Sequence, residues 1–285
     1  MGETIGEVTR EDNNFPKQLL EVHPLVEKLW YRGSWVSTTF NKCVAIVGSR
    51  RMSRYGKQVI SEIVPKLVVA GYTVVSGLMY GIDQEAHKVT LENGGKCIGV
   101  LGWGIDYECE EGARKMEEKI VASDGLVISE YAPGTTSHRW MFPARNRIVA
   151  GLSKMVVIVE AAEKSGTMST AKWAKKFGKE LFAVPGNMFS DTSSGSNILI
   201  ANQEAKLLTM KEVMGWDHSS IPLMRDECGR GAGGELLTLL KIDGPQSVNE
   251  LSRRLGKGVG EISAQLLQAE LVGKVAEERG MWKVV

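Results

Sequence analysis

Between residues 41 and 210 the apolar positions come as short runs of four to six, rich in Val and Ile. They are set between longer stretches whose apolar residues recur at helical spacing. Cys43–Gly48 reads as a buried strand, 56–70 as an amphipathic helix, 72–75 as a strand, 83–93 as a helix and 96–101 as a strand. Leu126–Ser129 and 154–160 continue the series as strands, each preceded by helical sequence. A helix over 167–177 and a last strand over 180–184 close it. Strands this short and this apolar, separated by helices, are covered on both faces, as in a parallel sheet. The pattern predicts an α/β fold with a doubly wound, mainly parallel sheet.

The two ends depart from that pattern. Residues 1–40 are aromatic and charged, with Trp30, Tyr31 and Trp35 after a predicted short helix at 16–28, and form an N-terminal extension packing on the domain at 41–216. At 217–234 four glycines cluster without periodicity, which predicts a flexible linker. From 235 to 285 the sequence reads as three short helices and a hairpin. The helices are a helix at 235–241, a second opened by the capping-box spacing of Ser247 and Glu250, and a third carrying Val259, Ile262, Leu266 and Leu267. The hairpin strands are 271–275 and 281–285. Three helices and a hairpin make a winged helix.

Composition removes several classes. The chain has 285 residues, 43% hydrophobic, enough for one sizeable core and a small satellite domain. Cys43, Cys97, Cys109 and Cys228 form no CxxC, and the four histidines form no HExxH, so neither a metal site nor a disulfide framework is expected. The N-terminus has no basic and apolar leader. The longest uncharged run, 67–82, is glycine-broken and shorter than the ~18 apolar residues of a membrane span. A soluble, cytoplasmic protein with no membrane contact is expected.

Ligands of parallel α/β sheets bind outside the carboxyl ends of the strands, which singles out three turns. After the first strand stand Gly48, Ser49, Arg50 and Arg51; after the second, Ser76 and Gly77; after 154–160, Lys164, Ser165, Gly166 and Thr167, opening a helix. Glycine admits close approach, arginine forks onto phosphate, and a helix N-terminus with small hydroxyls binds anions. None of the turns fits GxxxxGK[ST], and the first lacks GxGxxG. The stretch Phe142, Pro143, Ala144, Arg145, Asn146, Arg147 adds an aromatic for stacking, two phosphate-binding arginines and an asparagine able to read a base edge. The same residues also suit a helix start with solvated arginines and a core Phe.

Net charge is only +1, but it sums opposed segments: residues 139–189 carry a net +6 and residues 104–131 a net −5. The basic segment coincides with the ligand-facing turns, a footprint for a polyanion. In the winged helix, the third helix carries Glu261 and Glu270, and the wing Glu277 and Glu278. Phosphates repel such a face, so sequence-specific reading of a duplex there is disfavoured.

In this order the motifs resemble the DprA/Smf family of bacterial DNA-processing proteins. The resemblance runs through Phe15-Pro16-Lys17-Gln18-Leu19-Leu20, Val47-Gly48-Ser49-Arg50, Ser76-Gly77 with Gly81-Ile82-Asp83, the Phe142–Arg147 block, Ser165-Gly166-Thr167 and Pro185-Gly186-Asn187. It implies an extended Rossmann-like domain that binds single-stranded DNA without hydrolysing ATP, forms a homodimer, and delivers a RecA-type recombinase during natural transformation. It implies no cofactor and no catalytic residue. Where the family commonly has Ala-Arg before Gly-Ile-Asp, this chain has Met79-Tyr80. The competing readings are a nucleotide sensor or nucleotide hydrolase on the same fold, and a winged-helix transcription regulator.

Overall fold

A computed structural model describes residues 5–107, 111–217, 236, 239–240, 244–271, 275–278 and 280–284. The chain divides into two compact units, Met1–Ser220 and Ile221–Val285. The first runs β1 (Gly6–Thr9), β2 (Lys28–Gly33), β3 (Cys43–Val47), α1 (Arg54–Val69), β4 (Thr73–Ser76), α2 (Ile82–Glu92), β5 (Cys97–Val100) and α3 (Glu111–Ala122). It continues with β6 (Leu126–Ser129), α4 (Met141–Leu152), β7 (Met155–Ile158), α5 (Thr167–Lys176), β8 (Glu180–Ala183), α6 (Asp191–Ala201), β9 (Lys206–Leu207) and α7 (Met210–Asp217).

The strands form one sheet in the order β1-β2-β6-β5-β4-β3-β7-β8-β9. Every pair from β6 to β9 is parallel; β1–β2 and β2–β6 are antiparallel. Alternation along β3 sends Cys43, Ala45 and Val47 to a core shared with α4 and α5, and Val44 and Ile46 to a core shared with α1, α2 and α7. Burying each such Val or Ile contributes about 1.5–3 kcal/mol, and both faces contribute, as the unbroken apolar runs predict. No helix among the described residues is long and apolar enough to cross a membrane.

Two expectations for this unit are corrected. The helix predicted at 16–28 is a single 3-10 turn, Lys17–Leu19, and Lys28 already begins β2. Pro24 explains this: it cannot continue a helix and it pushes the residue before it out of the helical region. The extension therefore supplies two sheet strands and buries Phe15, Leu19, Val22 and Val26 against the α4 side of the core. Nor is 180–184 the last strand, since the two-residue β9 pairs with β8 beyond it.

In the second unit, α8 (Val248–Leu255), α9 (Val259–Leu271), β10 (Val275–Glu278) and β11 (Met281–Val284) pack around Leu236, Leu240, Leu251, Ile262, Leu266, Val275 and Trp282. The capping box forms: the Ser247 N–H donates to Glu250 Oε2 at 3.0 Å and the Glu250 N–H to Ser247 Oγ at 3.3 Å. Leu271 ends α9 rather than starting the hairpin. Glu261, Glu270, Glu277 and Glu278 are all exposed. Past Asp217, the linker predicted at 217–234 lies outside the described residues, as does most of the helix predicted at 235–241.

Candidate nucleic-acid interface

From β3 the chain moves through β4 and β5 to β6 on one side, then returns to β7 and continues to β8 and β9 on the other. The loops after β3 and β7 leave the sheet in opposite directions, opening a crevice at the switch point. A cavity of about 610 Å³ lies there. Gly48, Ser49, Arg50 and Arg51 line it from β3, Gly77 from β4, Phe142, Arg145 and Asn146 from α4, and Ser165, Gly166 and Thr167 from the start of α5. Loops widely separated in sequence thus converge on one volume.

Arg50 is held by two rings. Its guanidinium carbon lies 5.8 Å from the centre of the Tyr80 ring and 5.5 Å from that of Phe142, within reach of cation–π attraction. Phe142 is itself half-buried, edge-on to Trp103 at 6.0 Å. Its ring seats Arg50 as well as lining the cavity. The β3 and β7 loops are tied by Thr167, whose hydroxyl donates to the Gly48 carbonyl at 3.0 Å. Ser165 Oγ is buried with no hydrogen-bond partner among the described residues. The N-terminus of α5 has no side-chain cap. A free hydroxyl beside an uncapped helix start is suited to an anion.

Arg145 is only 2% exposed. It donates to the Gly77 carbonyl at 2.7 Å and to the Val100 carbonyl, while its Nε donates to Asn146 Oδ1 at 3.1 Å. The buried Asp83 carboxylate accepts the Gly77 N–H at 3.1 Å. Burial pushes the Asp83 carboxyl up to about 6 against the pull of the Arg145 charge, and burial lowers Arg145 to about 10 against the pull of Asp83. The arginine therefore stays cationic at neutral pH. A side chain at residue 77 would displace this pair, since a Cβ on Gly77 would stand 2.5 Å from an Arg145 terminal nitrogen and 2.7 Å from Asp83 Oδ2. Burial lowers His87, on the same helix as Asp83, to about 3, so its ring is neutral.

Three of the proposed contact residues lie elsewhere. Ser76 is buried and its hydroxyl donates to the Ile46 carbonyl at 2.6 Å. Lys164 is exposed and does not line the cavity. Arg147 is 4% exposed, forks onto the Glu130 carboxylate and donates to the Pro24 carbonyl at 2.9 Å, joining α4 to the N-terminal extension. Asn146 lines the cavity, but its amide nitrogen is occupied by Ser169 Oγ at 2.7 Å and the Gly166 carbonyl at 3.3 Å. It braces the start of α5 instead of presenting a free base-reading edge.

The charge footprint is correspondingly narrower than the segment total. Within 139–189 only Arg139 and Arg145 line the cavity, joined by Arg50 and Arg51 from outside the segment. Lys175 pairs with Glu204 at 2.8 Å and Lys179 donates to the Gly151 carbonyl at 2.9 Å. Residue-by-residue reading missed Met79, Asp83, Arg139, Pro143, Ala162 and Thr170 as lining. Asp83 carried a signal, as the close of Gly81-Ile82-Asp83.

A doubly wound sheet with four arginines lining the cavity at its switch point is a Rossmann-like fold whose ligand crevice is suited to an anion. The chain belongs to the DNA recombination-mediator protein A family, whose model matches residues 7–215, and the DprA winged helix domain matches residues 232–281. Among curated relatives, the DNA processing protein DprA of Streptococcus pneumoniae is 38% identical over 198 residues, covering 70% of this chain and 69% of that one. Protein Smf of Synechocystis is 32% identical, covering 96% and 78%. The X-ray structure of the pneumococcal DprA matches with a TM-score of 0.67 at 34% identity, covering 74% and 73%. DNA processing protein A of Helicobacter pylori, described by its single-stranded DNA binding mode, matches with a TM-score of 0.66 at 28% identity, covering 75% of this chain and 95% of that one.

Proposed function

We propose that this chain is a cytoplasmic single-stranded DNA-binding recombination mediator. In this reading it acts as a homodimer that protects incoming strands and helps to load a RecA-type recombinase during natural transformation, without hydrolysing ATP. The strand contacts are Gly48, Ser49, Arg50, Arg51, Gly77, Phe142, Arg145, Ser165, Gly166 and Thr167. The observation that carries the reading is the convergence of Arg50, Arg51, Arg139 and Arg145 on one cavity edged by Phe142. Cations neutralise phosphates whatever the sequence, and a ring stacks on a base that is not paired. The volume of about 610 Å³ has room for nucleotide-sized groups. The single-strand binding in the Helicobacter pylori relative's description supports the same ligand.

Fluorescence anisotropy of labelled oligo-dT, titrated at low and moderate salt beside the matching duplex, tests this. Salt-sensitive binding with a strong single-strand preference is expected. Equal affinity for duplex, or displacement of the oligonucleotide by an equimolar mononucleotide, overturns it in favour of a duplex reader or a nucleotide sensor.

A further inference from the structure

The loop from β8 to α6 is firmly built and yet displays two large apolar side chains. Tyr55 Oη donates to the Pro185 carbonyl at 2.8 Å. Gly186 and Asn197 exchange two hydrogen bonds of 3.1 Å. The Phe189 N–H donates to Asn187 Oδ1 at 2.9 Å, and the Ser190 N–H to the Asn187 carbonyl at 3.0 Å. Between these ties Met188 is 79% exposed and Phe189 88% exposed. An exposed phenylalanine on a loop fixed at both ends is displayed by the backbone, not left out by slack.

The loop borders a second cavity, of about 560 Å³, whose lining includes Ser53, Tyr55, Glu160, Asn187 and Ser193. This cavity shares two loops with the arginine-lined one. On the β3 loop Arg51 faces the first and Ser53 the second; on the β7 loop Ala162 faces the first and Glu160 the second. Both lie at the carboxyl ends of parallel strands. Their chemistry differs. The second lining contains no Lys or Arg, and its carboxylate is bound to Ser53 through the backbone N–H at 3.0 Å and the hydroxyl at 2.5 Å. With no cation beside it the Glu160 carboxylate disfavours phosphate there, while the hydroxyls and the Asn187 amide can donate to and accept from base edges.

We infer that a single strand longer than the first cavity holds continues over the β3 and β7 loops into the second, with a base stacked on Phe189. This rests on the single-strand reading above. The arginines of the first cavity then hold phosphates, and Phe189 beside the second adds a stacking platform beyond Phe142. Stacking on an aromatic ring tolerates any base, which suits a mediator without sequence preference.

The test uses the full chain and oligo-dT of two lengths, about 5 and about 20 nucleotides, near the lower end and beyond the upper end of the ~4–16 nucleotides that a single-strand-binding module occupies. Phe189→Ala is expected to weaken the long oligonucleotide by about tenfold and the short one little, with Phe189→Tyr restoring wild-type affinity. Because Phe189 is almost wholly exposed, an unchanged melting temperature is expected for both variants. Wild-type affinity of Phe189→Ala for both lengths overturns the inference and leaves the first cavity standing. Equal weakening of both lengths overturns it too, by placing Phe189 in the first contact. A change in molecular mass by light scattering with DNA affinity intact makes the surface a protein contact and also overturns it. If the wild-type chain binds neither length, the single-strand reading itself fails.

Discussion

Arg145 and Arg147 stand two residues apart on α4 and serve two different regions. Arg145 reaches into the switch-point cavity, where Gly77, Val100 and Asp83 fix it from the sheet side. Arg147 points toward the antiparallel margin and joins Glu130 to the chain at Pro24 and Leu25. Residues two apart on a helix are turned about 200° from one another, so one motif feeds both the cavity and a structural joint. The family block that reads as a row of DNA contacts is thus half cavity lining and half clamp. Residue type alone cannot separate the two, because both are arginines that end on backbone carbonyls.

The sharpest way to break this division is to remove the clamp. Arg147→Ala leaves the mostly buried Glu130 carboxylate without its partner, and losing one member of such a pair is expected to cost about 3 kcal/mol. Urea unfolding should register that loss while the folded fraction keeps its affinity for oligo-dT. A variant with full stability and weakened binding would put Arg147 in the ligand site and dissolve the contrast. Arg50→Ala is the converse experiment. Arg50 is exposed and touches rings, not carboxylates, so its unfolding midpoint should not move. Its affinity should fall by about tenfold, and its salt slope should flatten by about 0.7 for each lost phosphate contact. A midpoint shift with unchanged affinity reverses the assignment.

What the sequence reveals follows the same division. The sheet core is legible because Val44, Ile46, Val74 and Ile98 lie in runs buried on both faces, and the cavity is legible because ligand loops of such sheets sit at strand ends. β2 is not legible. Lys28–Gly33 has one fully buried residue, Leu29, and otherwise reads as a charged, aromatic connector until β6 is there to pair with it. Helix α6 hides for another reason. Asp191-Thr192-Ser193-Ser194-Gly195-Ser196 has the composition of a loop, but small residues let it lie against the Ala161–Ala162 backbone, where a Cβ on Gly195 would come within 2.8 Å of the Ala162 carbonyl. The role of Arg147 depends on Glu130 and on the carbonyls of Pro24 and Leu25, over 120 residues away in the chain for the last two. The two-residue spacing within a helix was the one available clue that the arginines diverge.

The cavity side of the comparison also carries a pH signature. The Asp83 carboxyl is raised from 3.8 to about 6 by burial, so between those values the folded chain binds the proton that the unfolded chain has lost. Its contribution to stability therefore grows as pH falls from 7 to 5, by about 1 kcal/mol. His87 acts with the opposite sign. Lowered from 6.5 to about 3, it stays neutral in the fold while the unfolded chain takes up a proton, so its contribution is lost as pH falls below about 6.5. Asp83 offsets part of that loss. Asp83→Asn is expected to lose about 1 kcal/mol more than wild type between pH 7 and pH 5, read as the shift in urea midpoint. Parallel pH profiles for the two proteins would show that the knot under Gly77 does not hold its proton as its burial implies.

The smallest effect concerns Tyr80, which stands where the family commonly has arginine. Its ring and that of Phe142 both contact the Arg50 guanidinium, and substitution separates an action through Arg50 from one on the strand itself. A cation–π contact at an exposed site is worth about 0.5–1 kcal/mol, so Tyr80→Ala should weaken oligo-dT binding about two- to fivefold, and Tyr80→Phe should not. If Tyr80 works by seating Arg50, its removal does nothing further in the Arg50→Ala background, because the cation it orients is gone. Additive losses in the double variant would instead make Tyr80 a stacking residue in direct contact with a base. In that case the departure at this position exchanges a phosphate contact for a base contact, and the ligand region extends one residue further along the β4 loop.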